Sequence, residues 1–105
     1  MEQLTSARDR ESTPVYVIKP STDGYTGRLT ASVEMTLAVP TGATRALISG
    51  DDYWVVACDA TVALPTGAFT QTDAAVAFDA LDVTDVSVLH FIARNDTDIS
   101  VSFYR

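Results

Sequence analysis

The chain of 105 residues carries one cysteine, one histidine, one lysine and one tryptophan, and each scarcity removes a class of chemistry. Cys58 alone forms no internal disulfide, so the fold does not depend on an oxidising compartment. Cys58 and His90 together fall short of the three or four ligands of a zinc site. Lys19 and the scattered arginines stand against fourteen acids, for a net charge of −7. Such a surface repels the phosphates that a nucleic-acid binder must neutralise. No apolar run reaches the roughly 18 residues of a membrane-spanning helix, which argues against a membrane partner. The opening MEQLTSARDRE also lacks the apolar segment of a secretory signal, so the expectation is a soluble protein made in the cytoplasm and used without export.

What is present reads as one globular domain rich in β structure. Hydrophobic residues make up 47% of the chain and charged ones 20%, which is globular composition. Asp, Thr, Ser, Gly and Pro disfavour helix interiors, while Val, Thr, Tyr and Phe favour strands. The segment RLTASVEMTLAV places Leu29, Ala31, Val33, Met35, Leu37 and Val39 on one side of a period-two pattern, which predicts a half-buried strand. VPTGA then follows at residues 39–43, and LPTGA returns at 64–68. Pro cannot donate to a ladder and Gly takes positive φ, so the repeated phrase reads as a recurring strand-ending turn and not as a duplicated ligand loop.

TRALIS predicts a further strand closed by a turn at GDD, residues 50–52. YWVVAC predicts another, with Trp54, Val56 and Cys58 on one face and Tyr53, Val55 and Ala57 on the other. AAVAFDA reads as a strand, LDVTD as a connection, and VSVLHFIAR as a central strand apolar on both faces. NDTD reads as a hairpin turn leading into ISVSFYR, with Ile99, Val101 and Phe103 inward. Counting PVYVIK as well, the pattern predicts an all-β protein: a compact antiparallel β-sandwich or jelly-roll-like barrel of about seven or eight strands. Residues 1–13, polar and aperiodic, read as an extended N-terminal arm, and 14–105 as the single domain. The arm either folds back on its own sandwich or lies on a neighbouring subunit, with Leu4 as apolar anchor and Arg8 and Arg10 meeting acidic groups.

No catalytic constellation accompanies this pattern. His90 has no nucleophile elbow of the G-x-S-x-G kind near it, so it reads as a strand histidine bonded locally, and no enzyme activity is expected. Asp51, Asp52, Asp59, Asp73, Asp96 and Asp98 fall on turns, where Asp is a good turn residue. No segment matches the twelve-residue calcium loop, and neither metal nor cofactor is expected. Tyr25, Tyr53 and Trp54 are the candidate aromatics for a glycan platform, provided that they converge and are exposed.

The stretches LAVPTGATRALIS, DDYWVVA, ALPTGA and VSVLHFIARNDTDISVSFYR together resemble small all-β auxiliary virion proteins of tailed bacteriophages, of the capsid decoration or cement type. The likeness covers residues 29–105 and leaves out the arm. It implies a structural role on the outer capsid surface, with the major capsid protein and neighbouring copies of the chain itself as partners and with no nucleic acid involved. Similar proteins also occupy head-tail joints and tails, and a carbohydrate-binding sandwich is the alternative from a different class.

Overall fold

In the computed structural model, residues 1–3, 6–8, 14–69 and 77–105 are described. The strands are β1 (Ser6–Arg8), β2 (Pro14–Ile18), β3 (Gly24–Leu29), β4 (Met35–Ala38), β5 (Arg45–Gly50), β6 (Trp54–Cys58), β7 (Ala80–Asp82), β8 (Val88–Ala93) and β9 (Thr97–Tyr104). No helix occurs among the described residues, and the domain is an all-β, antiparallel sandwich.

From β3 onward, successive strands alternate between two sheets, one ordered β3-β9-β5-β7 and the other β4-β8-β6. The chain runs out through β3 to β6 and returns through β7 to β9. The returning strands pair with the outgoing ones in reverse order, β7 with β5, β8 with β4 and β9 with β3. Closure comes from β9 pairing also with β5, and β8 with β6. This is the wrapped double ribbon of a jelly roll; among the described residues, no strand fills the eighth place beside β6.

Alternation between sheets turns the short links into arches that cross the core, where hairpins would stay within one sheet. Two expectations change for this reason. RLTASVEMTLAV is not one strand: it breaks between β3 and β4, where Ser32 takes φ 60° and its N–H donates to the Ala93 carbonyl at 2.8 Å. NDTD is not a hairpin turn either, because β8 and β9 belong to opposite sheets. The turn residues act as arch caps instead. Asp51 Oδ1 accepts the Asp98 N–H at 3.0 Å, Asp96 Oδ1 accepts the Ala31 N–H at 2.9 Å, and the Asp59 carboxylate takes the N–H groups of Ser87 and Val88. Asp is abundant here because each crossing leaves backbone donors that no ladder satisfies.

The repeated phrase is a turn in both places, with Gly42 at φ 88° and Gly67 at φ 100°. At the first copy the Ala43 N–H donates to the Pro40 carbonyl at 3.1 Å, with glycine at the third position, as a type II turn requires. The second copy ends no strand, because residues 59–69 run without ladder pairing. In the described part of AAVAFDA, only Ala80 is strand, continuing through Leu81 and Asp82 as β7; residues 74–76 lie outside the described set. PVYVIK supplies β2, which pairs with β1 and with neither sheet.

The core lies between the sheets. Ala46 and Ile48 from β5, Val56 from β6, Leu89 from β8, and Val101 and Phe103 from β9 are buried in one cluster. A second cluster sits on the outer face of the three-stranded sheet, where Val55, Ala57 and Ile92 are covered by Val62 and Leu64. The two faces expected for YWVVAC thus carry different cores, with Trp54 and Val56 inside and Val55 and Ala57 outside; Cys58 is exposed at the strand end.

Candidate interaction surfaces

Both roots of the N-terminal segment are fixed to the sandwich. The Glu2 carboxylate accepts the Thr22 N–H at 2.8 Å and its hydroxyl at 2.8 Å. These bonds, the backbone one first, hold the Glu2 carboxyl below its ordinary range. The Glu2 carbonyl accepts the Arg105 N–H at 2.8 Å, and Met1 packs against the main core. On the other side, the Tyr104 hydroxyl donates to the Lys19 carbonyl at 2.8 Å, and the Ser21 hydroxyl donates to the Phe103 carbonyl at 2.6 Å. Tyr104 faces outward by strand parity, yet it is buried under this second root. Between the roots, β1 and β2 form an antiparallel ribbon with an irregular register between Ser6 and Ala7. Arg8 closes β1, paired in register with Pro14. Leu4 and Arg10, the other two arm residues expected at an interface, lie outside the described residues.

The aromatics expected to form a glycan platform are separated. Trp54 is only 6% exposed and packs on Phe91 with ring centroids 6.3 Å apart. Its inward parity beside Val56 puts it in the core, so it offers no face to a sugar. Tyr25 sits on β3, with its ring edge-on to Phe103 at 5.8 Å, whereas Tyr53 precedes β6 in the opposite sheet and lies under the Arg94 guanidinium at 5.7 Å. The three do not converge.

His90 finds a local partner. On the outer face of the three-stranded sheet its Nδ1 lies 3.1 Å from Glu34 Oε1, and since an ionised carboxylate only accepts, Nδ1 is the donor. Glu34 Oε2 meanwhile accepts the Val62 N–H at 3.0 Å. Glu34 therefore clips residues 60–64 down over Val55, Ala57 and Ile92, and Arg94 adds a bond to the Pro65 carbonyl at 3.4 Å. The signal for this clip was absent from the sequence, because Glu34, Val62 and His90 are far apart along the chain. Cys58, the remaining nucleophile type, has its thiol pushed up by burial and then by Asp59, which keeps it in the unreactive protonated form.

The clip makes an acid prediction. The Val62 N–H, then His90, hold the Glu34 carboxyl below its ordinary value. A carboxyl lowered in the folded state contributes stability above its unfolded pKa and loses it as pH falls through the folded one. Wild type is expected to be more stable than Glu34→Gln near neutrality, and the gap should close as pH drops below about 4. Urea midpoints across that range test it; a gap independent of pH would show that the ionised clip contributes nothing.

An open groove of about 520 Å³ crosses the outer face of the larger sheet, lined by Thr26, Ser49, Asp51, Asp98 and Ser100. Its carboxylates are already engaged. Asp51 caps the Asp98 N–H, and Asp98 meets Arg28 Nε at 2.7 Å, a contact that lowers the Asp98 carboxyl and raises Arg28. Among the described residues no group of three or more potential metal ligands occurs. Compared with protein-family models, curated proteins and solved structures, the chain matches none.

Proposed function

We propose that the protein is a structural component of a tailed-bacteriophage virion, a decoration protein that binds the outer surface of the head and reinforces it through contacts with the major capsid protein and with neighbouring copies. The observation that carries this reading is the β1 and β2 ribbon. It is rooted at both ends by the bonds of Glu2, Lys19 and Ser21 and it pairs with neither sheet of the sandwich. A ribbon fixed at its base, whose strands pair with each other and, among the described residues, with neither sheet, has the form of a device for gripping a neighbour by strand addition. Jelly-roll sandwiches serve as viral coat domains and also as lectins, so the fold is compatible with the role without deciding it.

The mechanism is additive. Each copy spans adjacent capsid subunits, and opening the shell then breaks contacts between subunits as well as within them. The acidic arches at the ends of the sandwich keep the decorated particle soluble through mutual repulsion.

The test is cosedimentation of the purified protein with undecorated heads of the phage that encodes it. Binding at a fixed stoichiometry is expected. A variant in which residues 4–18 are replaced by a Gly-Ser linker keeps Met1, Glu2 and the second root. It should retain its circular dichroism and urea midpoint while losing particle binding by roughly tenfold or more, as expected when one arm of a multivalent contact is removed. Wild type that does not associate with heads overturns the virion reading. If it instead binds tails or a glycan array, the address or the class of protein changes accordingly.

A further inference from the structure

β3 and β4 are terminal strands of their respective sheets, and they border one cleft on the same side of the sandwich. The cleft has a volume of about 120 Å³ and is lined by Tyr25, Leu29, Met35, Leu37, Phe91 and Val101. Tyr25 and Met35 stand at its mouth, 41% and 42% exposed. Both residues have inward parity, so at this side the core reaches solvent between two strand edges.

The edges themselves are unsatisfied. The Phe103 N–H donates to the Asp23 carbonyl, which sets the phase of the ladder. By antiparallel alternation Tyr25, Gly27 and Leu29 bond to β9, and the amides of Gly24, Thr26 and Arg28 point away from it. On β4 the Val39 N–H donates to the Ser87 carbonyl, so the amides of Thr36 and Ala38 point outward. Among the described residues nothing pairs with these outer edges. Proteins ordinarily guard such edges with lysine, proline or a bulge, and neither strand contains lysine or proline.

Charge selects the occupant. A chain of net charge −7 repels its own copies over most of its surface. Among the residues lining the cleft only Arg28 is charged, and it is paired with Asp98. Two copies can approach here without opposing net charge, and about a two-fold axis each would supply the same apolar and hydrogen-bonding groups that the other lacks. We propose that a second copy of the chain docks on the paired edges of β3 and β4, extending both sheets across a two-fold axis and sealing the cleft. The inference stands apart from the virion reading, since it concerns the purified protein alone.

Sedimentation equilibrium up to millimolar concentration is the test. Wild type is expected at twice the chain mass of 11.3 kDa. Met35→Lys places a charge in the sealed cleft and should weaken dimerisation by roughly a hundredfold or more, the scale of burying an unpaired charge. Thr36→Pro removes one outward donor without adding charge and leaves the ladder to β8 intact, so it covers the case in which the lysine variant does not fold. Amide exchange gives a second readout: Thr26 and Thr36 should slow with rising protein concentration. A wild-type monomer at millimolar concentration overturns the proposal, as does a dimer that persists in both variants with Thr26 and Thr36 unprotected.

Discussion

Phe103→Ala is expected to lower folding stability by about 3–5 kcal/mol, the range for removing a fully buried aromatic ring. Phe103 has no solvent exposure and lies on β9, which is bonded to β3 on one side and β5 on the other. Its ring also receives the edge of Tyr25 at an interplanar angle of 74°, a contact of about 0.5–1.5 kcal/mol in its own right. The cavity would open in the middle of the larger sheet, where hydrogen-bonded neighbours on both sides limit collapse. Domains of this size hold only about 5–15 kcal/mol in total, so the variant would be close to unfolding. Urea denaturation against Phe69→Ala provides the internal comparison. Phe69 is fully exposed, and its removal should stay within about 0.5 kcal/mol of wild type. A loss below about 1 kcal/mol for Phe103→Ala would mean that the sheets repack freely, contrary to a rigid core.

The strands were legible because period two survives wherever one face is buried. Ile99, Val101 and Phe103 alternate with Ser100 and Ser102, and the structure buries the first set. For Trp54 the alternation showed only that it shares a face with Val56; that this face is inward, which removes it from a sugar platform, comes from its burial against Phe91. The path between strands was not legible. Whether a link is a hairpin or an arch depends on which sheet receives the next strand, a tertiary choice that leaves no periodic trace. Residues 95–98 look like a hairpin turn by composition, and the same Asn and Asp chemistry caps a crossing. Even the long alternation from Leu29 to Val39 runs through a crossing at Ser32, since alternate positions stay apolar on both sides of it. The clip of Glu34 on Val62 and His90 was hidden for a related reason, being assembled from three chain segments by the wrapping itself.

The arches also explain where interaction surfaces are left. A jelly-roll path spends its turn residues on closing the ends, and the carboxylates of Asp51, Asp59 and Asp96 are committed to backbone donors there. The outer face of the smaller sheet is covered by residues 60–64. Besides the groove on the outer face of the larger sheet, the side where β3 and β4 both end their sheets is open among the described residues, and the rooted ribbon precedes β3.

Gly50→Ala is expected to cost about 1–3 kcal/mol, at the upper end of that range for overpacking, although alanine ordinarily suits a strand interior better than glycine. The reason is contact and not backbone conformation. A Cβ at position 50 would stand 2.5 Å from Trp54 Cδ1, 2.7 Å from Trp54 Nε1 and 3.4 Å from the Thr97 methyl. Neither neighbour can withdraw easily. The indole is buried and packed on Phe91, and fully buried Thr97 is held by its hydroxyl bond to the Asn95 carbonyl at 2.8 Å. The arch from β5 to β6 therefore closes directly onto the ring that begins β6, and glycine is what allows the two sheets to meet there. A double-mutant cycle separates this cause from a general loss of stability. Trp54→Phe alone should destabilise by leaving a void, but combined with Gly50→Ala the smaller ring makes room for the new methyl. The two changes should then cost less together than the sum of their separate effects, by about 1 kcal/mol or more, within the range of coupling seen for residues in contact. Strict additivity would place the role of Gly50 elsewhere, in the flexibility of the arch, and would remove the steric account.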